Sequence, residues 1–322
     1  MITNLLVEWV GPELRATWRG GDDPTVFVSA DPDDAGTVIV PVTVPGGVRV
    51  LGLPEGFRAY VHVLDLDGRF VVGAERLIRL GRAGHAVDLG GRAAGPDPDT
   101  GVERVTGWGR LYAGDPIDDL DGPGLEILRN LRIRTVCDLR GGSGSSGRPN
   151  WLDPETRWEL PGVGEDDAGQ LAEVATLAAD RANHPLLFHA GVGEDRAVVV
   201  AALLLSAVGV ADLDLPFFPT RPEVLADLRR EHGSVVAYLT GAGGLDVAAL
   251  DALRDALLTT RPPGPPMQGE PAAAARRRRH QFEMRRSLDL SRGSSYPARN
   301  LHGEVVVDPP SVARRRKTSG CS

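Results

Sequence analysis

Cysteine and lysine are almost missing from this chain of 322 residues. The two cysteines are Cys137 and Cys321, and no CxxC pair exists. A disulfide framework and a metal site built from cysteines are therefore not expected. Scarce cysteine is typical of proteins in a reducing compartment, and we predict a cytoplasmic protein that needs neither cofactor nor metal.

Long hydrophobic runs are missing as well. The longest, Ala197–Val210, is interrupted by Ser206 and falls short of the ~20 residues that a membrane-spanning helix needs. The N-terminal segment MITNLLVEWVGPEL has neither a basic region nor a long apolar run. The sequence therefore predicts no signal peptide and no transmembrane segment.

Charge is distributed unevenly along the chain. Residues 261–322 contain 13 Arg and Lys against 5 Asp and Glu, a net charge of +8. The whole chain carries −8, so residues 1–260 carry −16. This acidic body is expected to repel nucleic acid, whereas the basic tail could contact nucleic acid, acidic lipid or the body itself. Because the tail is rich in Pro, Ser and Arg with few apolar residues, we predict that residues 261–322 are disordered.

Residues 1–82 have the pattern of a small β-sandwich domain. Short runs rich in β-branched and aromatic residues alternate with Gly, Pro and Asp at intervals of roughly ten residues. The predicted strands are Val7–Trp9, Leu14–Trp18, Thr25–Ser29, Thr37–Pro41, Arg49–Leu53 and Arg58–Leu64. Asp65–Gly68 is predicted to be a turn, since the ligand pattern of an EF-hand calcium loop is missing.

Residues 83–260 change to alternating strands and helices. Strands are predicted at Ile133–Leu139 and Pro185–Phe188, and a flexible loop at Gly141–Gly147. The predicted helices are Leu125–Leu131, Gly169–Arg181, Arg196–Gly209, Pro222–His232 and Asp246–Leu258. This alternation predicts an α/β domain with a parallel-rich sheet flanked by helices.

The segment HPLLFHAGVGEDRAVVVAALLL, residues 184–205, has the pattern of a buried strand, a glycine-bearing loop and a helix. Backbone N–H groups in such a loop converge over the helix N-terminus and form a site for an anion. Two glycines allow close approach of the backbone, and the Arg196 guanidinium can grip two phosphate oxygens. The predicted phosphate-binding residues are Gly191, Val192, Gly193, Glu194 and Arg196. The alternative is an ordinary loop with a surface arginine.

The same loop resembles a known family. HAGVGEDR, residues 189–196, resembles the HCxxGxxR signature of cysteine-dependent phosphatases, and most of all the bacterial tyrosine phosphatases whose loop reads HCxAGKDRTG. Other segments resemble the same family in its order: HAVDLGG at 85–91, GWGRLY at 107–112, LRIRTVCDLR at 131–140 and EHGSVVAYL at 231–239. The resemblance spans roughly residues 75–258 and implies a phosphatase-like fold that recognises phosphotyrosine or phosphoinositide monoesters.

The chain departs from the family at the reacting atom. The nucleophilic cysteine aligns with Ala190, and a methyl group cannot form a phosphocysteine. Glu194 replaces the family's lysine and places a negative charge beside a site for a dianion. Cys137 is expected to be buried in the sheet and Cys321 lies in the tail, so neither is predicted to act as the nucleophile instead.

The remaining loop residues match the family pattern. The resemblance gives Arg196 the role of binding phosphate, Asp195 that of a candidate general acid, and His189 that of supporting the loop. Without a thiol to tune, His189 is expected to be a buried, hydrogen-bonded histidine. The predicted catalytic positions are therefore Ala190, where the nucleophile is lost, with Asp195 and Arg196.

Three functions remain open from the sequence. The first is a pseudophosphatase that binds phosphorylated proteins or phosphoinositides without turnover. The second is a residual phosphatase that uses water positioned by Asp195. The third is a structural or interaction protein that acts through the β domain or the basic tail.

Overall fold

The computed structural model describes most of the chain up to Thr260. The described residues are 2–21, 23–35, 39–40, 42, 46–54, 56–65, 70–81, 84–140, 147–161, 167–191, 196–211 and 222–260. They all belong to one compact unit, Met1–Gln268. The predicted tail at 261–322, most of the predicted turn at 65–68 and most of the predicted loop at 141–147 lie outside the described residues.

Two antiparallel sheets form the N-terminal part. The first, in the order β1-β2-β5, consists of β1 (Thr3–Val10), β2 (Glu13–Arg19) and β5 (Gly47–Val50). The second, in the order β4-β3-β6-β7, consists of β3 (Thr25–Ser29), β4 (Ile39–Val40), β6 (Tyr60–Leu64) and β7 (Phe70–Ala74). Alternate residues face a shared core, for example Leu14 and Trp18 from β2 and Val26 and Val28 from β3. The turn predicted at residues 65–68 was expected to join two strands, but no bounds were predicted for the second of them, which is β7.

A six-stranded sheet occupies the centre of the remaining chain. Its strands are β8 (Leu77–Arg79), β9 (His85–Asp88), β12 (Leu111–Gly114), β13 (Thr135–Asp138), β14 (Arg157–Glu159) and β15 (Leu186–His189), in the order β14-β13-β15-β12-β9-β8. The first four in that order are mutually parallel, whereas β9 is antiparallel to β12 and β8 is antiparallel to β9. A smaller antiparallel sheet joins β10 (Ala93–Pro96), β11 (Glu103–Thr106) and β16 (Leu258–Thr260). The predicted parallel-rich α/β architecture is confirmed.

Helices lie against the six-stranded sheet. They are α1 (Gly122–Asn130), α2 (Asp167–Ala179), α3 (Arg196–Ala207), α4 (Pro222–His232), α5 (Val235–Gly241) and α6 (Val247–Leu257). A large core joins one sheet face to α2, α3, α5 and α6, while a second core joins the other face to α1. All four residues of β15 are buried, and the first three, Leu186, Leu187 and Phe188, are apolar, as is typical of a central parallel strand. Among the described residues, no helix has both the length and the apolar composition to cross a membrane.

A buried ion pair connects the N-terminal sheets to the six-stranded sheet. Arg58, which precedes β6, places Nη2 2.5 Å from Oδ2 of Asp88 at the end of β9. Asp88 is fully buried and also accepts hydrogen bonds from the backbone N–H groups of Gly90 and Gly109. The division into domains at residues 1–82 and 83–260 stays a prediction; β8 precedes that boundary and pairs with β9.

Candidate functional site

The candidate site lies at the carboxyl ends of the parallel strands. β15 ends at His189 and α3 begins at Arg196, so the predicted strand and helix are present on either side of the loop. Ala190 and Gly191 are described at its start. The other predicted loop residues, Val192, Gly193, Glu194 and Asp195, lie outside the described residues. In parallel α/β sheets, ligands bind beyond this edge.

Ala190 is buried where the loop leaves the sheet. Its side chain is 2 % exposed and belongs to the large core that also contains Phe188 and Ala197. A side chain at this position therefore sits at the base of the loop. Since alanine carries only a methyl group, no nucleophile is present there.

Cys137 does not supply the missing nucleophile. It lies in β13, its side chain is fully buried, and it pairs with Phe188 rather than facing the loop. Burial raises the pKa of its thiol far above the ordinary value, with added repulsion from Glu159. The thiol form is therefore retained at neutral pH and is a poor nucleophile. The predicted burial of Cys137 is confirmed.

Arg196 is the exposed first residue of α3 and is anchored to the neighbouring strand. Its Nη1 donates a hydrogen bond of 2.6 Å to the carbonyl oxygen of Leu139, the residue that follows β13. This contact holds the guanidinium beside the sheet edge at the N-terminus of a twelve-residue helix. A guanidinium has five N–H donors, and this bond uses one of them. The arrangement suits an anion, which the helix dipole also favours.

Next to this edge, the guanidinium of Arg140 lies between the carboxylates of Asp118 and Asp138. The sequence did not predict this cluster of three charged side chains. Its Nη1 and Nη2 lie 2.5 and 3.0 Å from the two carboxylate oxygens of Asp118, and Nε and Nη2 donate to Asp138 at 2.8 and 2.7 Å. Asp138 is fully buried, and Arg140 is largely buried. Two carboxylates more than offset the single positive charge, so Arg140 adds no net attraction for an anion. The sequence signal was a charged residue at the end of the buried strand, Asp138, and a second one two positions later, Arg140, in TVCDLR.

His189 is fully buried at the end of β15. Burial lowers the pKa of its imidazole from 6.5 to about 4, although the carboxylate of Asp138 opposes this shift. The ring is therefore neutral at physiological pH. Its centroid lies 5.8 Å from that of the Trp158 ring. The backbone of Ala190 makes a hydrogen-bonding contact that raises the pKa of this imidazole, but neither ring nitrogen meets strict hydrogen-bond geometry with a described residue. The predicted hydrogen bond of His189 is therefore a weak one.

The described part of the chain offers no cluster of three or more His, Cys, Asp or Glu side chains that could hold a metal ion. Among the described residues, the polar groups at the sheet edge include one anchored guanidinium, a charged cluster around Arg140 and a neutral histidine. No model of a known protein family matches the chain, and no curated protein matches it.

Proposed function

We propose that this chain is a pseudophosphatase related to the cysteine-dependent tyrosine phosphatases, and that it binds phosphorylated ligands without hydrolysing them. One observation carries the proposal: a buried strand ends beside Ala190 and a helix begins at Arg196, so the spacing of the phosphatase signature coincides with a strand, a loop and a helix. The ligands are phosphotyrosine in a protein or the phosphate monoester of a phosphoinositide.

Binding depends on the groups that persist in this arrangement. The N-terminus of α3 attracts phosphate oxygens, as do the N–H donors of Arg196 other than the one bonded to Leu139. Turnover depends on the group that is missing, because the phosphocysteine route needs a thiolate at position 190. The charges of Asp118, Asp138 and Glu194 weaken the attraction for a dianion, so we expect weak rather than tight binding.

Hydrolysis of p-nitrophenyl phosphate tests the loss of the nucleophile. We expect no turnover by the wild type and measurable turnover by Ala190→Cys, because the variant restores a thiol at the base of the loop. Burial there raises the pKa of a thiol, and the dipole of α3 opposes that shift. Ala190→Ser is the matched control and should stay silent, since a serine hydroxyl has no comparable route to an anion here. Wild-type turnover that disappears in both Arg196→Ala and Asp195→Asn would replace this proposal with a residual phosphatase.

Calorimetry of ligand binding tests the second part of the proposal, that the loop binds a phosphate group. Titration of the full chain with phosphotyrosine, followed by calorimetry, should show weaker binding for Arg196→Ala and roughly tenfold tighter binding for Glu194→Lys, because that substitution reverses a charge beside the anion. Arg49→Ala, an exposed arginine on β5, serves as the control and should leave the affinity unchanged. Equal affinities for all four proteins would contradict a phosphate site at this loop and direct attention to the β domain and the tail.

A further inference from the structure

An exposed pair of side chains, His85 and Asp115, lies at the same edge of the six-stranded sheet as the candidate site. The register of β12 with its two neighbours places Asp115, the residue after β12, between Ala190, the residue after β15, and His85, the first residue of β9. The backbone N–H of Asp115 donates a bond of 2.9 Å to the carbonyl oxygen of His85. Because adjacent strands lie about 4.8 Å apart, the backbone of His85 is roughly 10 Å from that of Ala190.

His85 and Ala190 face the same side of this sheet. Ala190 belongs to the large core that α3 covers, and so does Val87, two residues after His85. Since alternate residues of a strand share a face, His85 is directed to that side as well. The helix α3 begins on this side with Arg196. The side chain of His85 is 40 % exposed and is therefore accessible to a ligand held at the N-terminus of α3.

The carboxylate of Asp115 holds His85 in place. Its Oδ2 accepts a hydrogen bond of 2.8 Å from the backbone N–H of His85 and lies 3.6 Å from Nδ1 of the ring. Partial burial raises the pKa of Asp115, but the hydrogen bonds from His85 lower it by more, so this carboxylate is ionised at neutral pH. The backbone of Gly84 packs against the same group, since a Cβ there would lie 2.4 Å from Oδ2.

Donor and acceptor chemistry limits what this pair can bind. An ionised carboxylate only accepts hydrogen bonds, so the ring nitrogen that faces Asp115 carries a proton. A neutral imidazole then presents Nε2 as an acceptor beside a carboxylate that is 53 % exposed. Two neighbouring acceptors exclude a phosphate or carboxylate oxygen as their shared partner. A hydroxyl group donates to either of them, and unlike an ammonium or amide N–H group it also accepts when the imidazole is protonated.

We propose that His85, positioned by Asp115, binds a hydroxyl group of the ligand, and that the ligand is the phosphate monoester of a polyhydroxylated ring rather than phosphotyrosine. This inference rests on the proposed phosphate site. The phosphate lies over Ala190 at the N-terminus of α3, and the ring extends across β12 to His85. The aromatic ring of phosphotyrosine carries no hydroxyl group that could donate to the pair, so it is held by its phosphate alone. Soluble sugar phosphates and the headgroup of a phosphoinositide share the required chemistry.

Calorimetry of the full chain with two matched esters tests the hydroxyl contact. Glucose 6-phosphate and cyclohexylmethyl phosphate both carry a phosphate group on a six-membered ring, and only the first has hydroxyl groups. His85→Ala should lower the ratio of the two affinities about fivefold, the effect of one lost hydrogen bond. His85→Gln, whose amide oxygen accepts, should keep part of the preference for the sugar. His232→Ala, at an exposed histidine of α4, is the control and should leave the ratio unchanged.

A substitution of Asp115 tests its positioning role separately. Asp115→Asn keeps an acceptor for the backbone N–H of His85 but removes the charge beside Nδ1. The loss of a negative charge should raise the affinity for both esters, whereas the poorer orientation of the imidazole should lower their ratio. A purely structural role for Asp115 would leave the ratio as it is in the wild type.

The outcomes separate this inference from the phosphate site itself. An unchanged ratio in folded His85→Ala would overturn the hydroxyl contact, and the phosphate site would still stand if Arg196→Ala weakens the binding of both esters. Binding of neither ester, nor of phosphotyrosine, would remove the phosphate site and this inference with it.

Phosphatidylcholine vesicles that contain phosphatidylinositol 4-phosphate distinguish the two sources of the ring. Tighter binding to these vesicles than to glucose 6-phosphate, again dependent on His85, would identify a membrane headgroup as the ligand. Dependence on His85 for glucose 6-phosphate with no binding to the vesicles would identify a soluble sugar phosphate.

Discussion

At the scale of single residues, His189 makes stability depend on pH in a defined window. The unfolded chain takes up a proton on this residue near pH 6.5, whereas the folded chain keeps it neutral until about pH 4. As pH falls through this window the unfolded state is favoured, and the free energy of unfolding decreases. Between pH 7 and pH 5 this one residue is expected to cost about 2 kcal/mol.

Urea denaturation of wild type and His189→Gln at pH 7 and pH 5 measures this cost. The variant lacks the titrating ring, so its loss of stability over the same range should be about 2 kcal/mol smaller. Burial also lowers the pKa of His62 and His184, but both are present in each protein and cancel in the comparison. His232→Gln, an exposed position, should behave like wild type. Parallel losses in all three proteins would mean that His189 is not protected from protonation in the folded state.

The sequence predicted some site residues well and missed others for a physical reason. Ala190 at the end of a buried strand and Arg196 at the start of a helix follow from local pattern, and Cys137 was predicted to be buried because it lies in an apolar run. The cluster of Asp118, Arg140 and Asp138 was not predicted. Asp118 lies 22 positions before Arg140, and only the pairing of β12, β13 and β15 brings their loops to one edge.

At the scale of elements, the ion pair between Arg58 and Asp88 is expected to hold two layers together. Asp88 is fully buried, so removing the guanidinium leaves an uncompensated charge in the interior. Arg58→Met should therefore reduce the free energy of unfolding by about 3–5 kcal/mol. Arg49, half exposed and 3.5 Å from Glu13, is the matched control, and Arg49→Met should cost less than about 1 kcal/mol.

Thermal and urea denaturation followed by circular dichroism distinguish these two outcomes. A loss for Arg58→Met no larger than that for Arg49→Met would show that the layers are held by other contacts. One such contact is the hydrogen bond of 3.0 Å from Nε1 of Trp108 to the carbonyl oxygen of Val72.

Elements with a strong local pattern were predicted closely, and short ones were not. α4 has the predicted bounds, and α3 begins at the predicted residue. The strands β9, β12 and β14 have three or four residues each and no clear alternation, so their neighbours across the sheet define them more than their sequence does. Their packing is nevertheless tight: a Cβ on Gly90, just beyond β9, would lie 2.4 Å from Cα of Trp108. Two of the segments that resemble the phosphatase family therefore touch each other.

At the scale of the whole molecule, β16 is the last element among the described residues and is well anchored. Leu257 and Leu258 are buried, β16 pairs with β11, and the guanidinium of Arg110 donates a bond of 2.6 Å to the carbonyl oxygen of Ala256. A chain ending at Gln268 keeps all of these contacts, and we expect it to melt at the same temperature as the full chain. A chain ending at residue 255 loses them and should be less stable by at least about 3 kcal/mol, from the lost burial of two leucines.

Differential scanning calorimetry of the full chain, the chain ending at Gln268 and the chain ending at residue 255 checks this expectation. Equal melting temperatures for the two shorter chains would show that β16 contributes nothing to stability. A lower melting temperature for the chain ending at Gln268 would instead mean that residues 269–322 stabilise the rest.

The burial of Cys137 also makes its reactivity a measure of unfolding. Its thiol is closed to solvent and held protonated, so alkylating reagents should leave it intact in the folded protein. In a chain carrying Cys321→Ser, iodoacetamide would then label Cys137 only in molecules whose central sheet has opened. The rate of labelling against urea concentration would report how often β13 separates from β14 and β15.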